Sequence, residues 1–222
     1  MTMPDTCARE GPAFEHRLAT RDGFFDDATF MHVLEAVERL VSTERSYLPA
    51  HKKGGTVAYS SLREKAPMLV DLYTSGAIAK TIEAITGEQV TPTPLHDESS
   101  CSVLFYEKPG DHIGWHYDHN FYRGRHFTVL IPVVNRGASG GLSAARLKTK
   151  GHDGETEIST PPNRLILFEG ARVLHKVTPI AEGERRVIWS MTYCTDCRNS
   201  PLQGLARRVK DTAFFGLRAL WT

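Results

Sequence analysis

The segment GWHYDHN, residues 114–120, contains side chains that commonly bind metal ions. His116 and Asp118 stand two positions apart, and residues i and i+2 of an extended segment project from the same face, so both could reach one cation. Two histidines and one carboxylate form a known Fe(II) site that leaves three metal positions open. Because the chain has 10 histidines, one His-x-Asp tripeptide is weak support alone. The site requires a second histidine from elsewhere.

His175 is the candidate for that second histidine. It follows Asp118 by 57 residues (175 − 118), which is enough chain for several strands to return to the same sheet. Arg185 comes ten residues later, with Pro179 and Gly183 between. A turn of this length would place an arginine on the next strand beside the histidine. There its planar guanidinium could hold a carboxylate through two parallel hydrogen bonds.

The elements before this region are predicted to be helical. Residues 26–44 and 75–87 carry apolar side chains at helical spacing, with capping or terminating residues at their ends. Residues 49–61, PAHKKGGTVAYSS, are rich in glycine and lysine and are predicted to form a loop. A third amphipathic and basic helix is predicted at the tail, about residues 200–222.

The middle of the chain has a different character. Four short segments are rich in β-branched and aromatic residues and are separated by Gly, Pro, Asn or Asp: 100–107, 126–135, 164–169 and 185–193. Helices followed by successive strands predict an antiparallel sandwich or barrel that carries N-terminal helices.

Composition limits the classes of function. At 222 residues the chain suits one domain of good size or two very small ones, and its net charge of +1 argues against nucleic acid as a partner. The N-terminus has no apolar segment of a secretory signal, and the longest aliphatic stretch, 129–134, is too short to cross a bilayer. A cytoplasmic location with reduced thiols is therefore expected. Cys194 and Cys197 could form half of a zinc site, but no second half is evident.

Several motifs in the right order give the chain a family resemblance. They begin with Y-x3-G-x5-H-x-D, which comprises Tyr106, Gly110, His116 and Asp118, and continue with RHFT at 125–128, SGG at 139–141, PPNRLILFEG at 161–170 and H-x-V-x-P-x3-G-x-R at 175–185. From about residue 100 to 194 the chain resembles the Fe(II)/2-oxoglutarate-dependent oxygenase superfamily, in its prolyl-hydroxylase-like branch.

The resemblance implies a mainly β fold, the double-stranded β-helix or jelly roll. We expect a single oxygenase domain over 1–222, with N-terminal helical support over about 1–98, a jelly-roll core over about 99–195 and the C-terminal helix. The segment KKGGTVAYSS, at 52–61, is a candidate lid over the site, as relatives often have one.

The resemblance also implies roles for individual residues. The iron ligands and catalytic residues would be His116, Asp118 and His175. Arg185 would bind the C5 carboxylate of 2-oxoglutarate, Tyr106 would form a hydrogen bond to this cosubstrate, and Thr128 would assist the arginine. Arg186 is the alternative to Arg185, since strand alternation lets only one of the two point inward, and the family spacing favours Arg185. Pro132 stands where relatives often have a tyrosine.

The implied activity uses Fe(II), 2-oxoglutarate and O2, with ascorbate as a candidate reductant. It would hydroxylate an unactivated C–H bond of a peptidyl residue, an amino acid or a natural-product small molecule. The superfamily's halogenases lack the carboxylate ligand, which lets chloride bind iron. Asp118 therefore favours hydroxylation, with desaturation left open.

Three other interpretations remain at this point. A zinc hydrolase is disfavoured because its helical HExxH motif needs glutamate after the first histidine, and Ile113 follows His112. A non-catalytic cupin-like module would explain the strands and the metal motif but not an arginine at the family spacing. A lipid-directed oxygenase would use the basic C-terminal helix for peripheral membrane contact. The same helix could pack on the domain or on a second subunit, so monomer and homodimer both remain open.

Overall fold

A computed structural model describes residues 14, 17–42, 44–48, 51–199, 204–206 and 209, with backbone alone for 44 and 46–48. Its helices are α1 (Asp27–Glu38), α2 (Tyr59–Lys65), α3 (Pro67–Thr74) and α4 (Ala77–Thr86). Its strands are β1 (Leu18–Arg21), β2 (Glu44–Leu48), β3 (Lys52–Val57), β4 (Thr91–Pro92), β5 (Cys101–Tyr106), β6 (His112–His116), β7 (His126–Arg136), β8 (Leu147–Gly151), β9 (Gly154–Ile158), β10 (Leu165–Phe168), β11 (Leu174–Val177) and β12 (Arg185–Cys194).

The strands form one curled antiparallel sheet. Its order is β1-β10-β7-β12-β5-β3-β6-β11-β8-β9, and β2 and β4 pair with β3 and β12. Most neighbours in this order are distant in sequence, as in a double-stranded β-helix, whereas β8 and β9 form a hairpin. The mainly β jelly roll and the four predicted strand segments are confirmed, and so are the two predicted N-terminal helices.

Side chains on the two faces of the sheet pack into two different apolar clusters. Helices α1 to α4 cover the outer face with residues such as Val33, Leu69 and Tyr73, and Trp189 of β12 lies in this same cluster. The inner face of the curled sheet holds a smaller cluster that includes Ile188. Alternation along each strand thus sends one set of residues to the helices and the other set to the interior.

The prediction of a loop over 49–61 is wrong. Residues 52–57 form β3, which pairs with β2, β5 and β6, and α2 begins at Tyr59. The prediction of a lid at 52–61 is also wrong, because β3 is a paired internal strand of the sheet. The glycines that indicated a loop have a packing reason, because a Cβ on Gly55 would lie 2.6 Å from the Cβ of Ser42. The region before residue 98 therefore supplies strands β1 to β4 as well as the predicted helical support.

Two further expectations concern the C-terminal part of the chain. Cys194 and Cys197 are paired as a disulfide, which corrects the expectation of reduced thiols at these positions. The predicted C-terminal helix lies outside the described residues except at 204–206 and 209, which are helical. Among the described residues, no helix has the length and apolar character needed to cross a membrane.

Candidate active site

The structure brings together the three residues predicted to bind metal. One ligand atom from each of His116, Asp118 and His175 lies within 4.8 Å of the others. The Oδ1 atom of Asp118 is 3.6 Å from Nε2 of His116 and 3.7 Å from Nε2 of His175. Three donor atoms that converge in this way could hold a single ion. They form the only such group among the described residues.

Strand register explains this convergence. His116 is the last residue of β6 and pairs directly with His175 of β11, next to an irregularity in the register. Asp118 lies two residues beyond the strand end, where its backbone N–H donates to the carbonyl oxygen of Gly170 at 3.0 Å. The aspartate is therefore held against the segment that leads from β10 into β11.

Backbone carbonyl groups orient both imidazoles. Nδ1 of His116 lies 2.8 Å from the carbonyl oxygen of Gly114, and Nδ1 of His175 lies 2.9 Å from that of Val173. A carbonyl oxygen can only accept, so each Nδ1 carries a proton and each Nε2 faces Oδ1 of Asp118. Such outer hydrogen bonds are typical of histidines that bind metals.

Electrostatics favour the ligand forms of two of these residues. Burial would raise the pKa of Asp118, but His175, His116 and the hydroxyl of Thr128 outweigh it and hold this pKa well below its ordinary value. Burial is the main cause that lowers the pKa of His175. An ionised carboxylate and a neutral imidazole are the forms that bind a cation.

Thr128 has a different contact from the one predicted. Its hydroxyl donates to Oδ2 of Asp118 at 2.6 Å, so it lies at the metal end of the site. Thr128 pairs with Thr192, six residues along β12 from Arg186. It is therefore placed to orient the carboxylate rather than to assist an arginine.

An ion-pair network anchors the segment beside Asp118. The carboxylate of Glu169 accepts hydrogen bonds from Arg125 and Arg17, and the backbone of the adjacent Gly170 receives the Asp118 N–H. Burial raises the pKa of Glu169, but the two arginines outweigh it and the net shift is downward. Glu169 is thus ionised at neutral pH and ties this segment to β7 and to the N-terminal region.

The three ligands open into a cavity of about 180 Å³ inside the curled sheet. Its polar lining includes Tyr106 and Arg186, which are paired across β5 and β12. Arg186 is only 1% exposed. Its NH1 donates to the carbonyl oxygen of Ala145 at 3.4 Å, and its Nε has no hydrogen-bond partner among the described residues. A buried guanidinium with an unused donor is suited to an anion that enters the cavity.

The expectation that Arg185 faces the site is therefore corrected. Arg185 lies outside the cavity and forms ion pairs with Glu38 and Glu107. The reason is strand alternation, because Arg186 shares its face with Ile188, Ser190 and Thr192, which also line the cavity. Val187, Trp189, Met191 and Tyr193 point to the helices instead.

Tyr106 lies where the sequence predicted a cosubstrate contact. It is 1% exposed, and burial raises its pKa far above the ordinary value, although the neighbouring Arg186 partly opposes this rise. The phenol is therefore protonated and can donate a hydrogen bond. Burial likewise lowers the pKa of Arg186 to about 10, with Tyr106 opposing and Arg146 adding to the shift, so the arginine stays charged at neutral pH.

The polar residues of the cavity wall that were not predicted include His51, Lys52 and Asp97. His51 packs edge-on against His116 with ring centroids 5.2 Å apart, and the buried Lys52 donates to the hydroxyl of Thr56 at 2.9 Å. Asp97, also buried, accepts from the hydroxyl of Tyr122 at 2.9 Å. His51 and Lys52 lie in the segment that the sequence predicted to be a loop, which gave no signal for a cavity wall.

Comparison with known families agrees with this geometry. Residues 27–141 match the family described as Halogenase D, and residues 101–193 match the 2OG-Fe(II) oxygenase superfamily. The chain belongs to the Halogenase D family and to the 2OG-Fe(II) oxygenase superfamily. Its cofactors are accordingly Fe(II), 2-oxoglutarate and O2, and it is an oxidoreductase of this superfamily. Among curated proteins, no sequence matches the chain.

Solved structures share the fold at low sequence identity. A prolyl hydroxylase from Trichoplax adhaerens, in complex with a hypoxia inducible factor peptide fragment, is 18% identical with a TM-score of 0.64, over 82% of this chain and 84% of that one. The epimerase SnoN from nogalamycin biosynthesis is 15% identical with a TM-score of 0.61, over 80% and 77%. The carbocyclase SnoK from the same biosynthesis is 11% identical with a TM-score of 0.60, over 86% and 84%. These neighbours catalyse different reactions, so likeness of fold alone does not identify this reaction.

Proposed function

We propose that the protein is an Fe(II)- and 2-oxoglutarate-dependent hydroxylase. His116, Asp118 and His175 hold the iron, and Arg186 holds the distal carboxylate of 2-oxoglutarate with Tyr106 beside it. The observation that carries this proposal is a converging His-Asp-His group that opens into the same cavity as a buried arginine with an unused donor. When bound, the iron with 2-oxoglutarate and O2 supplies oxidation of a substrate C–H bond, coupled with decarboxylation of the oxo acid to succinate.

The protein's own residues bind and orient the reactants. The two Nε2 atoms and Oδ1 of Asp118 face one point, which leaves the cavity side for the cosubstrate. Arg186 on β12 offers N–H donors in a planar fork that matches a carboxylate. The apolar side chains of the inner cluster surround the polar groups and restrict water. Orientation and exclusion of water are thus the chain's contribution.

Asp118 favours hydroxylation over halogenation. The superfamily's halogenases lack this carboxylate, whereas here it is present and is held by Thr128 and by Gly170. Halogenation is the second candidate, because residues 27–141 match a family described as Halogenase D. The mass of the product formed in chloride buffer distinguishes the two, since hydroxylation adds oxygen and halogenation replaces hydrogen with chlorine.

The substrate is proposed to be a small molecule or a peptidyl residue. Structural neighbours include one protein in complex with a peptide fragment and one in complex with nogalamycin RO. A non-catalytic binding module would hold metal in the same cavity without turning over 2-oxoglutarate. The proposed oxygenase instead converts it to succinate, so turnover separates the two classes.

The test is succinate formation by anaerobically iron-loaded protein after O2 is admitted, with and without candidate substrates. His175→Ala should abolish succinate formation, because one of three ligands is lost. His152→Ala is the matched control, since that histidine is fully exposed in the turn between β8 and β9 and should leave the rate unchanged. Equal rates for His175→Ala and the unaltered protein would refute the assignment.

A further inference from the structure

The two carboxylate oxygens of Asp118 lie in different surroundings. Oδ1 faces the two imidazoles, 3.6 Å from Nε2 of His116 and 3.7 Å from Nε2 of His175. Oδ2 points the other way and accepts a hydrogen bond from the hydroxyl of Thr128 at 2.6 Å. The carboxylate thus presents one oxygen to the histidines and one to the sheet.

The surroundings hold the carboxylate in this orientation. A Cβ on Gly170 would lie 2.7 Å from the Cβ of Asp118 and 2.8 Å from its Cγ, so the aspartate packs directly on the glycine. The backbone N–H of Asp118 donates to the Gly170 carbonyl oxygen. Gly170 therefore supplies both the space and a backbone anchor for the side chain.

The hydroxyl of Thr128 is also fixed. Thr128 lies within β7, paired with Phe168 of β10 and Thr192 of β12, and is only 4% exposed. A β-branched side chain on a paired strand has few allowed rotamers. The donor therefore cannot easily follow the carboxylate if Asp118 turns.

We propose that Thr128 is a positioning residue that limits Asp118 to one metal-binding oxygen. This inference rests on the proposed function. An ion held by two histidines and one carboxylate oxygen would keep three positions for 2-oxoglutarate and O2. Binding through both carboxylate oxygens would leave only two. Thr128 therefore determines how many positions remain open for the reaction.

The matched variants are Thr128→Val, which keeps the shape and removes the hydroxyl, and Thr128→Ser, which keeps the hydroxyl. Thr86→Val is the control, because Thr86 does not line the cavity and its hydroxyl donates to the carbonyl oxygen of Ile82 within α4 at 2.8 Å. Each protein is loaded with Co(II) as a redox-stable stand-in for iron. Its visible spectrum, which reports the ligand set, is recorded, and 2-oxoglutarate is titrated by calorimetry under nitrogen.

Removing an outer hydrogen-bond partner of a metal ligand typically costs about 10- to 100-fold in metal affinity or activity. Thr128→Val is expected to bind 2-oxoglutarate at least about 10-fold more weakly and to show an altered Co(II) spectrum. Thr128→Ser should restore both properties, and Thr86→Val should keep the unaltered spectrum. A Thr128→Val protein with unchanged affinity and spectrum would overturn the inference.

An Asp118→Ala arm separates this inference from the proposed function. If Asp118→Ala weakens Co(II) binding while Thr128→Val changes nothing, the metal site stands and only the role of Thr128 is refuted. If Asp118→Ala binds Co(II) as tightly as the unaltered protein, Asp118 is not a ligand. Both proposals then fall together.

Discussion

Separate substitution of Arg185 and of Arg186 tests which of these two adjacent arginines binds 2-oxoglutarate. We expect Arg186→Gln to weaken 2-oxoglutarate binding strongly and Arg185→Gln to leave it unchanged. The two substitutions remove the same group from neighbouring residues of β12. They differ only in the direction that strand alternation gives to each side chain, which makes them a closely matched pair.

The expected magnitude follows from burial. Arg186 is 1% exposed, and truncating one partner of a buried, hydrogen-bonded charge pair costs about 2–5 kcal/mol. At about 1.4 kcal/mol per tenfold, the dissociation constant of 2-oxoglutarate should rise by about 30-fold or more. Arg185 forms partly exposed ion pairs with Glu38 and Glu107. Loss of such pairs costs about 1 kcal/mol or less of stability.

Calorimetry on metal-loaded protein measures the affinities, and thermal unfolding of metal-free protein serves as the control for folding. The melting temperature of Arg186→Gln should not fall, because an incompletely hydrogen-bonded buried cation is removed. The reasoning is refuted if Arg186→Gln binds 2-oxoglutarate normally. It is equally refuted if Arg185→Gln produces the larger loss.

Three other outcomes are expected. Gly170→Ala should weaken metal binding by about 10-fold or more, because the new methyl group displaces Asp118. Zn(II) competition measures this affinity. An unchanged affinity would contradict the packing of Asp118 on Gly170. Glu169→Gln should lower the melting temperature at pH 7, because the pKa of Glu169 is lower in the folded state than in the unfolded state. The stability that such a carboxylate contributes is present above its unfolded-state pKa and is lost as the pH falls through its folded-state pKa. The difference in melting temperature between the variant and the unaltered protein should therefore vanish in acid. Cys101 should resist alkylation at pH 8, because it is fully buried and burial raises its pKa to about 12. Peptide mapping of the alkylated native protein measures the labelling. Rapid labelling of Cys101 would contradict its burial.

Much of the fold was predictable because its signals are local. Composition and spacing identified two helices and four strands, and the motif order gave the jelly roll. The same reasoning missed β3, where glycine and lysine indicated a loop. That strand depends on a close approach between Gly55 and Ser42, and local composition does not encode such contacts.

The site was predictable to a similar degree. The sequence identified the three residues that converge, but motif spacing chose Arg185 over its neighbour. The alternation of Val187, Trp189, Met191 and Tyr193 in RRVIWSMTY carried the correct signal, because these large apolar residues assign Arg186 to the opposite face. The contacts of Asp118 with Thr128 and Gly170 join three separate segments. Only the folded structure reveals them.

Anomalous scattering locates the iron relative to the three proposed ligands. Crystals grown with Fe(II) and an inert 2-oxoglutarate analogue, without O2, are measured on both sides of the iron absorption edge. One anomalous peak is expected, bounded by Nε2 of His116, Oδ1 of Asp118 and Nε2 of His175. A fully loaded crystal whose iron peak lies away from these three atoms would contradict the proposed metal site.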